Sequence, residues 1–335
     1  MKRHGNLWDK IIDIENIKLA YKKAKKGKTW QNTIKTFDTD FDSNIMSIHE
    51  ALKNKTFTTS EYKTMTITEP KLRTIYKLPF APDRIIQHAL MNVVEPIWDK
   101  MFIHNSYACR VGKGIHAGSK KTMEFVRNSK YCLKLDISKF YPSIDHDILF
   151  DIIKRKIKCK DTLWLFENII YSFPGGRNTP IGNYTSQWFG NLYMNELDYF
   201  LKHEHHIKKY IRYCDDFCLF SNDKHLLNSM IPVIVNFLKD KLRLTLSKCD
   251  LFPVSRGVDF LGYRHFRDYI LVRKSTVKRV KRRLRKLYQI ISKGSFDAEK
   301  ARSSIASTEG WLKWANAYNL KKSIGLEALK EAVNA

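Results

Sequence analysis

The stretch Lys209-Tyr-Ile-Arg-Tyr-Cys-Asp-Asp-Phe-Cys-Leu-Phe-Ser221 decides how the chain reads. Two β-rich runs flank an aspartate pair, which predicts strand, tight turn, strand, with Asp215 and Asp216 at the turn. Adjacent carboxylates repel unless a cation neutralises them, so the pair either meets a metal ion or is plain turn chemistry. A second run, Tyr131 to Ile137, alternates cleanly. Leu133, Leu135 and Ile137 point one way, and Cys132, Lys134 and Asp136 the other. Asp136 is therefore expected on the face of its strand turned from the core towards solvent. Three aspartates on β-scaffolding supply the hard oxygen ligands Mg²⁺ takes, and nucleotidyl transfer uses two such ions ~3.5–4 Å apart.

Working outward, Thr56 to Leu78 reads as strands interrupted by a turn at Glu69-Pro70-Lys71. An amphipathic helix follows Pro82, with Ile85, Ile86, Leu90, Val93, Val94 and Ile97 on one face. Asn105 to Ser119 reads as a glycine-bearing loop. A helix is expected after Pro142, capped near Ser143. Residues 258–264 and 269–272 predict a further hairpin. From Ser275 the pattern is helical, with a stripe of Val277, Val280, Leu284, Leu287, Tyr288 and Ile291, and nine Lys or Arg between Arg273 and Lys286. Trp311, Trp314, Ala315 and Tyr318 repeat helical spacing and are expected in a core, the other reading being a base-stacking platform. The N-terminal 30 residues read as helix (Leu7, Ile11, Ile14, Tyr21) trailed by Lys22, Lys23, Lys25, Lys26 and Lys28, either a solvated face or a phosphate contact.

Composition narrows the partner. The chain has 335 residues, 60 Lys+Arg against 34 Asp+Glu, and a formal charge of +26, so a polyanion is the default ligand. No apolar run reaches the ~18–20 residues of a membrane span, and the N-terminus lacks an apolar signal core. A cytoplasmic location is expected. Six cysteines without a CxxC pair argue against a disulfide framework or a structural zinc site. His203-Glu204-His205-His206 is read as a solvated loop.

These motifs carry a resemblance. YCDD (213–216) resembles the YxDD motif of reverse transcriptases, LDISKFYPSIDH (135–146) their first aspartate motif, and KLRTIYKLPFAPDRIIQHAL (71–90) their fingers motif. NSYACRVGKGIHAG (105–118) resembles the loop that follows, and GVDFLGY (257–263) the hairpin supporting the primer end. All stand in the family's order. The resemblance implies an α+β right-hand polymerase. Residues 1–60 would form a basic helical extension, 61–268 interleaved fingers and palm (an antiparallel sheet with helices behind), and 269–335 a helical thumb. It implies catalytic and Mg²⁺-binding roles for Asp136, Asp215 and Asp216, with the Ile137 backbone carbonyl as a further ligand, and Mn²⁺ as a possible substitute. Lys71, Arg73 and Lys248 would meet the incoming nucleotide. Tyr141 would be the aromatic gate that blocks a 2′-hydroxyl. Arg279, Arg282, Arg283 and Lys286 suit a thumb tracking duplex backbone.

One segment departs from most of the family. Where a PQG…SP pattern is usual, this chain reads TPIGNYTSQWFGNLYMNELDYF (179–200). Ile181 replaces the glutamine beside the nascent pair, and Ser186-Gln187 replaces Ser-Pro. That pattern resembles the reverse transcriptases of diversity-generating retroelements, bacterial or phage-encoded enzymes that copy a template-repeat RNA with errors at adenines. Ile181, Gly182, Ser186 and Gln187 are the expected fidelity and template residues. Losing a glutamine contact worth ~1–3 kcal/mol relaxes discrimination roughly 10- to 200-fold. Implied partners are template RNA, the RNA–cDNA duplex, deoxynucleoside triphosphates and a small basic, oligomeric accessory variability determinant. The alternatives are a retron or phage-defence reverse transcriptase, and a non-catalytic RNA-binding scaffold.

Overall fold

The computed structural model describes residues 3–68, 72–294 and 296–334. Helices and antiparallel sheets segregate into an α+β architecture, divided into two compact units that each draw on three stretches of chain. The first comprises Met1–Cys109, Asp136–Ile207 and Pro232–Lys248; the second, Arg110–Leu135, Lys208–Ile231 and Cys249–Ala335. Residues 1–60 fall in the first unit and 269–335 in the second, while 61–268 is shared between them.

The first unit is mainly helical. The helix Ile14–Lys25 starts where the Asp13 side chain accepts a hydrogen bond from the Asn16 amide, satisfying an orphan donor of the first turn. Its buried stripe is Ile17, Ala20, Tyr21 and Ala24. Asn16 ties it to the helix Ile85–Asp99, donating Nδ2 to the Ala89 carbonyl at 3.1 Å. In that second helix Ile85, Ile86, Leu90 and Val94 are buried as the spacing predicts, joined by Ala89, Met91 and Trp98, while Val93 and Ile97 are half-buried. Trp98 stacks on Phe166 of the helix Lys160–Ile170 at 5.5 Å. Burial of a large apolar side chain of this kind stabilises by about 1.5–3 kcal/mol. The helix Tyr184–Tyr199 is buried on nearly every side, which marks it as central to its unit. Strands β1 (Lys63–Ile67) and β2 (Arg73–Lys77) form an antiparallel hairpin pairing Ile67 with Arg73. The turn expected at Glu69-Pro70-Lys71 lies outside the described residues.

The cap expected at Ser143 is instead Asp145. Its carboxylate accepts from the Ile148 amide at 3.2 Å and opens the helix His146–Lys154. Arg243 pairs with the same carboxylate at 2.8 Å, fixing it more firmly than a serine hydroxyl would be. Ser143 closes a short helical turn, Phe140–Ser143, and donates to the Ser138 carbonyl at 3.3 Å.

The second unit is built on a four-stranded sheet of order β4-β5-β3-β6, where β3 is Tyr131–Ile137, β4 Tyr210–Tyr213, β5 Asp216–Ser221 and β6 Leu246–Pro253. Strand β3 runs out of this unit at Asp136, and β6 enters it only at Cys249. Strands β4 and β5 are antiparallel and pair Tyr213 with Asp216, leaving Cys214 and Asp215 as a two-residue turn. Cys214 takes φ 53°, and the fully buried Arg212 donates Nη1 to its carbonyl at 3.0 Å, which holds the turn. The face of β3 expected towards solvent is covered at Cys132 and Lys134, which are buried, and opens at Asp136, which is half-buried. The helix Ile115–Arg127 begins inside the stretch read as loop.

Strands β7 (Val258–Phe260), β8 (Tyr263–His265) and β9 (Ile270–Val272) form a three-stranded antiparallel sheet. It packs with the helices Lys274–Ile291 and Ala298–Leu312 through Tyr263, Val272, Val280, Leu284, Ile305 and Leu312. Gly262 has φ +84°, and a Cβ there would sit 2.7 Å from the Trp311 ring. Three aromatics differ from expectation. Tyr288 is exposed, and because the helix ends at Leu312, Trp314 and Tyr318 lose their phase and are exposed too.

Candidate functional site

In the second unit, Asp215 occupies the tip of the β4–β5 turn and Asp216 the first position of β5. The Asp216 carboxylate is paired with the buried Lys134 ammonium, Nζ to Oδ2, at 3.1 Å. Lys134 also donates to the Asp259 carbonyl and lies 5.6 Å from the Phe260 ring centre. One lysine thus joins the aspartate turn to β7. Burial disfavours its charged form, but the negative charge of Asp216, with Cys218 and Asp259, outweighs this and raises its pKa above the ordinary lysine value. Among the described residues no three His, Cys, Asp or Glu side chains converge into a metal-binding group. The donor set still suits a hard cation: the turn carboxylate is negative enough to hold an ammonium inside the protein.

Also in this unit, Arg279, Arg282, Arg283 and Lys286 are exposed on the helix Lys274–Ile291. Their spacing places them on one face, opposite Val280 and Leu284. The Arg283 guanidinium donates to the Ser304 carbonyl at 3.3 Å and to the Thr308 hydroxyl.

The first unit gathers most of the residues expected at the nucleotide. Asp136 accepts from the Ser247 hydroxyl, on Oδ2 at 3.1 Å and on its own carbonyl at 3.2 Å. The neighbouring Ile137 is buried, and Lys248, next to Ser247, is exposed. Tyr141 is half-buried beside Phe140, ring centres 5.2 Å apart. Both rings lie over Gly190 of the helix Tyr184–Tyr199, where a Cβ would come within 3.0 Å of Phe140 and 3.2 Å of Tyr141.

The segment carrying Ile181 is pinned at both ends. The Thr179 amide donates to the Tyr141 carbonyl at 3.0 Å, and the Tyr76 amide of β2 donates to the Ile181 carbonyl at 2.9 Å. Between them Ser186 donates its hydroxyl to the Pro180 carbonyl at 2.8 Å. Gly182 has φ +131°, and a Cβ there would run into the Tyr76 carbonyl oxygen, so the approach of β2 requires glycine. Gln187 is exposed. Arg73 opens β2, three residues before Tyr76, and is exposed, whereas Lys71 lies outside the described residues.

Three positions were missed from sequence. Lys134 carried a signal, as the one charged residue before Asp136 in an otherwise apolar strand. Ser247 and Gly190 carried none without their long-range partners.

Comparison with known proteins sets this arrangement in a class of polymerases. A family model described as reverse transcriptase (RNA-dependent DNA polymerase) matches residues 43–265, more than half of the chain. The chain belongs to the reverse transcriptase family. Protein YkfC of Escherichia coli (strain K12) is 23% identical over 238 residues, covering 57% of this chain and 62% of YkfC. The group II intron-encoded protein LtrA of Lactococcus lactis subsp. cremoris is 25% identical over 180 residues, covering 50% of this chain and 29% of LtrA. The retron Ec73 reverse transcriptase of Escherichia coli is 28% identical over 203 residues, covering 56% of this chain and 62% of that protein. The chain thus covers less than two thirds of each relative's length. Among the described residues, no helix is long and apolar enough to cross a membrane.

Proposed function

We propose that the protein is an RNA-directed DNA polymerase that makes error-prone cDNA from a template-repeat RNA in a diversity-generating retroelement. The observation that carries the polymerase reading is the aspartate turn, Tyr213-Cys214-Asp215-Asp216, within the region matched to the reverse transcriptase family. Asp136, Asp215 and Asp216 are the carboxylates that would hold two Mg²⁺ ions, with the Ile137 carbonyl as a further ligand. Such ions activate the primer hydroxyl and neutralise the triphosphate. The chain's own residues do the rest. Arg73, with Lys71, grips phosphate oxygens through paired donors. Tyr141 excludes a 2′-hydroxyl by contact, and its ring is seated by Gly190. The exposed cations Arg279, Arg282 and Lys286 follow duplex backbone in a thumb-like role.

The mutagenic reading rests on Ile181. Its backbone is fixed by the Tyr76 amide, so its side chain offers only shape and apolar contact where a glutamine would hydrogen-bond. A small basic accessory protein that binds polymerase and RNA completes this proposal. The similarity to the retron Ec73 enzyme favours a second reading, a retron-type reverse transcriptase.

Primer extension on a defined RNA with Mg²⁺ and deoxynucleotides tests both levels. Incorporation by the parent and its loss in Asp215→Ala are expected, and incorporation that survives Asp215→Ala would refute the metal assignment. Sequencing the cDNA then separates the two readings. Errors concentrated opposite template adenine, reduced in Ile181→Gln, support the retroelement, and an even, unaltered spectrum supports the retron.

A further inference from the structure

The first unit holds a cluster of cations that the polymerase reading leaves unused. Arg84 immediately precedes the helix Ile85–Asp99, and Arg84, His88 and Asn92 follow one another at four-residue spacing along one side of it. The helix Ile14–Lys25 lies against that helix, and Lys23 donates Nζ to Asn92 Oδ1 at 2.7 Å. Just past its end, Lys28 donates to the Ala24 carbonyl at 3.1 Å.

Arg84 is half-buried, and among the described residues its guanidinium has neither hydrogen bond nor ion pair; its Nε is wholly enclosed. His88 is 6% exposed, its Nδ1 also enclosed and unpartnered, its ring stacked on Tyr184 at 3.8 Å. Among the described residues neither Arg84 nor Lys28 is paired with a carboxylate, although Glu95 feels the charge of Lys23. Asp83 accepts from the Ser60 amide at 2.9 Å and hydroxyl at 2.7 Å, and Glu95 meets the Tyr184 hydroxyl at 3.4 Å. Burial together with Arg84, Lys28 and Lys23 pushes the His88 pKa down to about 4, and burial with Arg84 lowers that of Lys28. Cations held close together with no anion paired to them cost folding stability, and a ligand that supplies the missing charge would offset that cost.

We infer that Arg84 and Lys28, backed by the buried His88 ring, form a binding site for a phosphodiester of the nucleic acid. The guanidinium fork matches two phosphate oxygens through its terminal nitrogens, and the Lys28 ammonium adds a further donor. A polynucleotide is favoured over a free phosphate because the exposed Lys22, Lys23 and Lys26 continue the positive track at the end of the neighbouring helix. The inference rests on the reading of the protein as a nucleic-acid enzyme.

The test is binding of a fluorescent single-stranded RNA across a salt series, with no catalysis required. In Arg84→Gln the affinity should fall about fourfold at 0.15 M salt, and the log–log salt slope should lessen by about 0.7, the value of one phosphate contact on a single strand. The melting temperature of this variant without RNA should equal or exceed the parent's, a result opposite to loss of a structural contact. Lys28→Gln, at a less buried position, should weaken RNA in the same way and decides the matter if Arg84→Gln does not fold. Parent-like affinity and slope would overturn the site. So would a melting-temperature rise with inorganic phosphate, abolished in the variants while RNA binding is unchanged, which would assign the cluster to a free anion. A parent that binds no RNA would refute the functional reading itself and this inference with it.

Discussion

Lys134 and Asp216, on adjacent strands of one sheet, form an ion pair of 3.1 Å in which the lysine is almost fully enclosed. The same ammonium binds the Asp259 carbonyl, so the aspartate turn and β7 share one cation. Lys134→Met should cost about 2–3 kcal/mol, less than for a fully buried pair because Asp216 keeps some solvent contact. Chemical denaturation measures it. Asp216→Asn in the Lys134→Met background should recover part of the loss, and strictly additive effects would show that the two residues do not interact.

Gly190→Ala should disturb Tyr141 without touching it chemically. A methyl group at 3.0–3.2 Å from two rings forces them to shift, at about 1–3 kcal/mol of overpacking. If Tyr141 is the sugar gate, ribonucleotide incorporation rises in Gly190→Ala and further in Tyr141→Ala. Steady-state incorporation of matched ribo- and deoxynucleotides gives the ratio, and identical ratios in all three proteins would remove the gate.

Gly182→Ala places a methyl group into the Tyr76 carbonyl at a backbone angle that side chains disfavour. A loss of about 2 kcal/mol or more is expected, with weaker nucleotide binding because β2 must retreat. A raised KM for deoxynucleotides, with RNA affinity intact, is the signature to seek in kinetics.

His265 links stability to pH. It is fully buried, shares a hydrogen bond with Ser119 at 2.8 Å, and burial holds its pKa near 4. The folded state therefore stays neutral where the unfolded chain takes up a proton below about 6.5. Stability is whole above pH 6.5 and declines as pH falls towards 4, by on the order of 3 kcal/mol for this residue. Melting curves from pH 7 to 4 should show the decline, and His265→Gln should flatten it.

Much of the candidate site was legible because its signals are local. The aspartate hairpin follows from two β-rich runs and a two-residue turn, and Tyr213 pairs with Asp216 accordingly. The central amphipathic helix followed from spacing alone, with Ile85, Ile86, Leu90 and Val94 buried as read. Lys134 was misread because alternation says which residues share a face, not whether something covers it; Asp259 and Phe260, far along the chain, do. Trp314 and Tyr318 were misread because a helical phase has meaning only while the helix lasts, and this one stops at Leu312. The bonds that pin Ile181 connect residues whose proximity no local pattern encodes.

The single hydrogen bond from the Tyr76 amide to the Ile181 carbonyl has a consequence for how such an enzyme can change over generations. The strand that begins with Arg73 and the loop that carries Ile181 are one mechanical piece. With the roles proposed for Ile181 and Arg73, a lineage whose loop shifts at Ile181 would move its grip on the substrate along with it. Mutation rate and appetite for nucleotide would then be inherited together, as a single trait.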